Sequence, residues 1–529
     1  MDYWAKAPRP RDQTVLFSPT LDHMIHEDHP VRVLDEILRA YDWSIWKASY
    51  VGAVTRRGQP PIPPRVVASV ILYGLSRGVR STRVLEYLCQ HSIDYMWLTE
   101  GWSLDHTTIA KFRTRFGPQL KDLFRHTGRV AMTMGLVRLG EVAFDGTRVR
   151  ANNSRSATHT AATLQAKLDA LDEQFERMLV EIEQIDQEEA LRYAKSESAE
   201  TLPPHLADIQ ARREQLAEAL EKVRQADQQR QRQGKDPQKN PAQLPATDSD
   251  SKVMPNKEGG YAPNYTPLAA TDTHRDYLVD VDVIAEANEH TETVPTVDRI
   301  EERFGERPDQ FLADSAHATG QNMEAMEQRK VEFFTPAKSN QPSEGDSAHR
   351  EDPTQPVAEG ERDRLPRNAQ NKLDKSAFVY DALQDEYHCP MGRPLPFANS
   401  YRKQYKCGPV RMRVYRCTDC AGCPLAEDCL SANVRRRTIH RDEHEATRER
   451  TALRMSTEDG QRVYHRRFHA AETPFGVLKS TMGVRQFLLR GLENVRTEWL
   501  WACTSYNLKK LVRDVVRLRA QFAQWAALG

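Results

Sequence analysis

Apolar residues recur at helix-like intervals through roughly the first 135 positions. LDHMIHEDHPVRVLDEILRAYDWS and PRVVASVILYGLSRGVRSTRVLEYLCQH both carry the spacing of helices with one buried face. GQPPIPP between them predicts a linker or turn, and Pro63-Pro64 stands where a helix can start. In SLDHTTIAKFRTRFG, Ser103 or Asp105 can cap a short helix carrying Lys111, Arg113 and Arg115. Short helices ending in a basic one fit a helix-turn-helix DNA-binding module. The same pattern fits a helical bundle with an ordinary solvated face.

From Gly140 the pattern changes. EVAFDGTRVRAN reads as an apolar strand ending at a carboxylate. Leu164, Leu168, Leu171, Phe175, Met178, Ile182 and Ile185 then keep a heptad spacing. After a break at Pro203-Pro204, a second seam runs through Leu206, Ile209, Leu216, Leu220 and Val223. Two such helices predict an antiparallel hairpin, a structural or dimerising arm. The tract QQRQRQGKDPQKNPAQLPATDSD predicts a flexible return.

Strand patterns resume in NYTPLAATDT and YLVDVDVIAE, with the turn-like THRD between them. A helix is expected over 291–304. FLADSAH is a second apolar strand ending in an acid, and EFFTPA is another short strand. Residues 338–376 are polar and expected to be mobile, and 378–430 are cysteine-rich. Helical patterns close the chain in HRRFHAAETPFGVLKS and NVRTEWLWACTSYNLKKLVRDVVRLRAQFAQW.

A chain of 529 residues, 28 % charged and 39 % hydrophobic, suits several soluble parts. The formal net charge is zero, so only its distribution can point to a nucleic acid. Acids crowd into roughly 165–225 and arginines into roughly 401–470. No run of about 18 apolar residues predicts a membrane span, and the first residues lack the apolar core of a signal peptide. A cytoplasmic location is expected.

Asp145 ends the strand VAF and Asp314 ends QFLA. Carboxylates at strand ends can hold Mg²⁺ with phosphate oxygens, although many such acids only cap turns. A helix near Tyr464 would carry Arg467, Glu472 and Lys479, with Glu472 and Lys479 on one face and Pro474 forcing a kink or break. Cys417, Cys420, Cys423 and Cys429 have zinc-knuckle spacing, with Cys389 as an alternative ligand. A reduced, packed cysteine cluster is the plain alternative. Cys89, Cys503, Trp499, Trp501 and Trp525 fit core positions. Arg435, Arg436 and Arg437 read as a solvated run that could touch phosphate.

FDGT, FLADSAH and Y-x2-R-x4-E-x6-K together resemble the DDE transposases of IS4/IS5-like insertion sequences, in the order of the IS1182 group. HEDHPVRVLDEIL, LDHTTIAKFR and GLENVRTEWLWACTSYNLKKL resemble that group's terminal regions. The Arg-to-Glu interval is one residue longer than in the commonest signature, and Ser-Ala-His follows Asp314.

The resemblance implies an α+β multidomain protein with an RNase H-like α/β core. Parts of that core at 136–157 and 251–340 would flank a coiled-coil hairpin and linker at 158–250. A helical DNA-binding domain at 1–135, a polar linker at 341–377, a Cys-rich insertion at 378–435 and a helical remainder of the core at 436–529 complete it. Asp145, Asp314 and Glu472 take the metal-ligand positions for two Mg²⁺ or Mn²⁺ ions, with Glu498 as rival for the third. Tyr464, Arg467 and Lys479 take the accompanying positions. The implied partners are the element's inverted repeats, target DNA and a second copy of the chain.

Overall fold

The computed structural model describes residues 20–51, 61–153, 158–192 and 204–528, apart from short stretches at 233, 235, 240, 246, 257–258, 337–347, 349, 351 and 406–407. Eight helices come first: α1 (Leu21–Met24), α2 (Pro30–Ala40), α3 (Ser44–Val51), α4 (Pro64–Ser76), α5 (Thr82–His91), α6 (Ile93–Leu98), α7 (His106–Arg115) and α8 (Gly117–Thr133). Pro64 opens α4, where a missing N–H costs nothing. Asp105 caps α7 by accepting from the Thr107 and Thr108 amides. Then follow β1 (Glu141–Gly146), β2 (Val149–Arg150), β3 (Thr158–His159), α9 (Ala161–Arg192), α10 (Pro204–Arg232), β4 (Leu244–Pro245), β5 (Lys252–Pro255), β6 (Tyr261–Asp272) and β7 (Tyr277–Ile284).

Alternating helices and strands continue with α11 (Thr293–Phe304), β8 (Gln310–Leu312), α12 (Gly320–Gln328) and β9 (Glu332–Phe334). Strands β10 (Val379–Asp381), β11 (Glu386–His388), β12 (Pro394–Tyr405) and β13 (Gly408–Arg416) precede α13 (Ala426–Cys429) and β14 (Thr438–Asp442). The last helices are α14 (Glu445–Ser456), α15 (Glu458–Gly476) and α16 (Leu492–Leu528). Pro474 lies inside α15, which runs on to Gly476 before a π-helical turn at Val477–Thr481. The backbone thus meets the proline with a widened turn rather than a break.

Two compact units divide the chain. One holds 1–131, 148–265 and 476–529; the other holds 132–147 and 266–475. In the first, α16 packs on α2, α4 and α7. Trp46, Trp499 and Trp501 are fully buried, and Trp501 Nε1 donates to the Arg113 carbonyl at 3.1 Å. Burying aromatic rings of this size contributes roughly 2–3 kcal/mol each. Residues 436–475 stay with the second unit, so the expectation that 436–529 completes the catalytic core is corrected only from 476 on. Helix α16 is apolar on too many sides to lie on one sheet face, and it fills the N-terminal bundle instead.

The hairpin also belongs to this unit. Arg213 pairs with Asp172, and Arg224 donates to Gln165, so α9 and α10 run antiparallel. Leu164, Leu220 and Val223 pack with Ala242 at its base. The side chains of Ile182, Ile185 and Leu206 lie outside the described residues, as does that of Trp525.

In the second unit, β7-β6-β1-β8-β9 form one sheet, antiparallel from β7 to β1 and parallel from β1 to β9. A separate five-stranded antiparallel sheet runs β10 to β14. It reaches Asp442, beyond the expected limit at 435. The segment expected to be a mobile linker corrects that expectation in its described part. Ala348, Val357, Leu365 and Leu373 are buried with Tyr387, Tyr415 and Cys417 in this module's core. A few apolar anchors hold an otherwise polar strap.

Candidate active site

Strands β1 and β8 pair in parallel register, Ala143 opposite Leu312. Two residues on come Asp145, still within β1, and Asp314, just past the end of β8. One face of these strands lies beneath α15. Ala143 packs with Ala470 and Ala471, and Leu312 with Val463 and Tyr464. Small alanines let the helix approach closely. The inward stripe of α15 is Val463, Arg467, Ala470, Ala471 and Pro474.

Arg467 is buried on this stripe, its Nη2 3.4 Å from Asp145 Oδ2. Arg466 pairs with Glu141 at the start of the same strand. Asp145 Oδ1 accepts from the Gly146 amide at 2.9 Å. Asp314, more open, accepts from the Ala316 amide at 2.8 Å and so caps a short 3₁₀ turn. Burial raises the Tyr464 hydroxyl, Arg467 opposing, with Asp314 and Asp145 adding to the rise.

His317 is buried behind Asp314. Its Nδ1 lies 2.9 Å from Thr293 Oγ1 and its Nε2 3.7 Å from Asp314 Oδ1. Burial pulls its pKa down to about 4 against the pull of Asp314, so the ring is neutral near pH 7.

Glu472 occupies the exposed side of α15. Among the described residues, no group of three or more His, Cys, Asp or Glu side chains stands ready to hold a metal ion. Asp145 and Asp314 thus both follow the paired strand ends, and Glu472 is not gathered to them. Its rival, Glu498, lies in the other unit. It is buried and committed, accepting from the Leu488 and Leu489 amides and pairing with Arg80 at 2.7 Å.

One acid escaped sequence reasoning. Glu289 lies so close to Gly146 that a Cβ there would meet its Oε2 at 2.2 Å. A side chain at 146 would have to push the Glu289 carboxylate aside. No spacing along the chain signals that contact, since a loop after β7 supplies the carboxylate.

Of the basic residues expected at DNA, Lys111, Arg115, Arg435 and Arg436 are exposed. Arg113 corrects the expectation. It is buried, and Nη1 donates to the Arg80 carbonyl at 2.8 Å. Arg437 is likewise turned inward, donating to the Cys429 and Leu373 carbonyls over the Phe378 ring. Lys479 lies in the first unit, where it donates to the Arg148 carbonyl at 3.0 Å.

Cys389, Cys417, Cys420, Cys423 and Cys429 line one small pocket of the β10–β14 module with Leu373 and Met391. The neighbouring Cys417 holds the Cys389 thiol below its usual range and is itself held up by Cys389 and burial, its Sγ donating to the Asp419 carbonyl at 3.4 Å. Burial pushes Cys429 up to about 11. Cys89 and Cys503 are buried in the helical unit, as their apolar context predicts.

Two carboxylates at neighbouring strand ends, on a face covered by α15, offer oxygen donors of the kind a hard cation takes. Residues 388–512 match the family model described as Transposase DDE domain, and residues 19–115 match Transposase domain (DUF772). These matches indicate an insertion-sequence DNA transposase, an enzyme of the DDE type. The DDE domain implies an RNase H-like fold and use of a divalent metal such as Mg²⁺. The matched segment includes Glu472 and the five cysteines and leaves Asp145 and Asp314 outside it. Comparison with curated proteins finds no relative that matches. No helix among the described residues is long and apolar enough to cross a membrane.

Proposed function

We propose that the chain is a DDE transposase of the IS1182 group. In this reading it binds the inverted repeats ending its own element and catalyses strand cleavage and strand transfer in the cytoplasm, at the nucleoid. The observation that carries the reading is that Asp145 and Asp314 follow directly on paired residues of adjacent parallel strands, whose face α15 covers.

Asp145, Asp314 and Glu472 are the proposed ligands of two Mg²⁺ or Mn²⁺ ions. Hard carboxylate oxygens suit these cations, and Arg467 beside Asp145 marks the spot as one that already holds positive charge. Bound metal supplies activation of a water or 3′-hydroxyl and stabilisation of the leaving oxygen. Glu472 must turn inward to join. The helix is weakest there, because Pro474 offers no N–H to the Ala470 carbonyl. Arg467 and Tyr464 orient the phosphodiester, while Lys111 and Arg115 on α7, with Arg435, Arg436 and Lys479, grip the DNA backbone. Four of the five pocket cysteines, which must first draw together, close a structural zinc site. The hairpin α9–α10 joins two copies in a synaptic complex, since two element ends need two active sites.

Incubation of the protein with labelled DNA flanking its coding sequence and Mg²⁺ tests the reading. Nicking with a joined product supports transposition. Cutting alone means a metal-dependent endonuclease, and a mobility shift alone means a transposase-derived binding protein. The outward position of Glu472 favours keeping these alternatives in the assay.

A further inference from the structure

Between Pro394 and Arg416 the chain carries six basic side chains, Arg402, Lys403, Lys406, Arg411, Arg413 and Arg416, and no acidic one. Strands β12 and β13 pair antiparallel from Phe397 opposite Tyr415 to Tyr405 opposite Gly408. At the usual strand rise this ribbon is about 27 Å long. Every residue of β12 except Leu395 is exposed. Phe397, Tyr401 and Tyr405 are large aromatic side chains among them, 43 %, 42 % and 39 % exposed.

The register sets Arg402 directly opposite Arg411, both exposed. Neither guanidinium forms an ion pair among the described residues, and the contacts of Arg411 with Glu443 run through its backbone amide and carbonyl. Like charges facing each other across a ribbon destabilise it unless an anion comes between them. Arg413 makes the contrast: it pairs with Asp385 and stacks on Phe397 and Tyr415.

The strand period puts Arg402 and Arg411 on one face of the ribbon and Tyr401, Lys403 and Tyr405 on the other. Lys403 lies 5.0 Å over the Tyr405 ring. Positive charge on both faces suits a site with phosphates on two walls better than a flat surface. The major groove of duplex DNA has two such walls and the width for a two-stranded ribbon.

We infer that the β12–β13 ribbon enters the major groove of duplex DNA, with Arg402 and Arg411 toward one phosphate wall and Lys403, Tyr401 and Tyr405 toward the other. This rests on the transposase reading for the source of the DNA and adds a surface to it. The test compares the full-length wild type with the Arg402→Ala/Arg411→Ala double variant. Fluorescence anisotropy across a salt series measures binding to a labelled random-sequence duplex and to its single strand.

The variant should bind duplex about tenfold more weakly, with a salt slope shallower by roughly two. Its Tm should equal or slightly exceed that of the wild type, because the facing charges are gone. Equal affinity and slope in a variant that still nicks DNA would overturn the ribbon and leave the transposase reading standing. Tighter wild-type binding to single strand than to duplex would overturn the groove. If the wild type binds no DNA, both readings fall together.

Discussion

Arg467 sets a guanidinium nitrogen 3.4 Å from Asp145 Oδ2, with the arginine side chain 8 % exposed and the carboxylate 21 %. The pair is thus largely removed from water, where breaking it leaves an uncompensated charge. Arg467→Ala should destabilise the protein by about 2–4 kcal/mol, read by urea denaturation. Arg467→Lys should recover part of that loss, because the charge returns without the fork. An alanine variant as stable as the wild type would mean that the contact adds nothing.

Glu472 and Glu498 make opposite forecasts. Glu472 is exposed, so Glu472→Gln should stay within about 0.5 kcal/mol of the wild type while losing cleavage. Glu498 is buried on Arg80 and two backbone amides, and Glu498→Gln should cost about 2–4 kcal/mol. Thermal melts and a nicking assay on both variants separate ligand from strut. Normal cleavage by Glu472→Gln would remove it from the metal-ligand set.

Asp248 yields a signed pH dependence. It is buried, accepts from the Tyr265 hydroxyl at 2.6 Å and from the Gly491 amide, and its pKa is raised chiefly by burial. A carboxyl with a folded pKa above its unfolded value binds its proton more readily in the folded state. Its contribution therefore improves as pH falls through the raised pKa and worsens above it. Asp248→Asn, which keeps an acceptor oxygen, should match or exceed wild-type stability at pH 7 and lose that advantage toward pH 4. Melting curves over that range decide it, and an advantage growing toward acid would refute the assignment.

Zinc in the cysteine pocket predicts one metal per chain by mass spectrometry of protein purified under reducing conditions. Chelation or Cys417→Ser should then unfold the β10–β14 module, since structural zinc binding is folding energy. Cys503→Ser, in the helical core, should leave the metal content unchanged. Metal-free protein with an intact module would return the cysteines to ordinary packing.

Much of this was readable beforehand, and the exceptions share causes. Apolar runs ending at Asp145 and Asp314 revealed the two strand ends, because a buried parallel strand needs continuous apolar residues. Helix α15 was legible, but not which way Glu472 faces. That depends on which stripe the alanines press onto Ala143. Arg113 and Arg437 read as surface cations, since charge is normally outward, yet backbone carbonyls claim both. The strap at 348–377 was hidden because its apolar anchors are far apart in a polar sequence. Helix α14 has too little apolar periodicity to stand out.

The hairpin supplies a deletion test. Its base includes Ala242 and Leu244 as well as the helices, so a clean removal must take 160–243 and join Thr158–His159 to Leu244–Pro245 with a short turn. The shortened protein should remain soluble and melt cooperatively, with weaker self-association by sedimentation. Insoluble protein would mean that the helices support the fold itself.

That pairing of Thr158 with Pro245 and His159 with Leu244 has a wider consequence. The chain leaves and re-enters through a neck two strands wide, with Lys222 of α10 reaching back past it to Asp250, so turns farther out place little geometric demand on the rest. Turns could be gained or lost there over generations, changing how far the arm extends while the chemistry kept its old address.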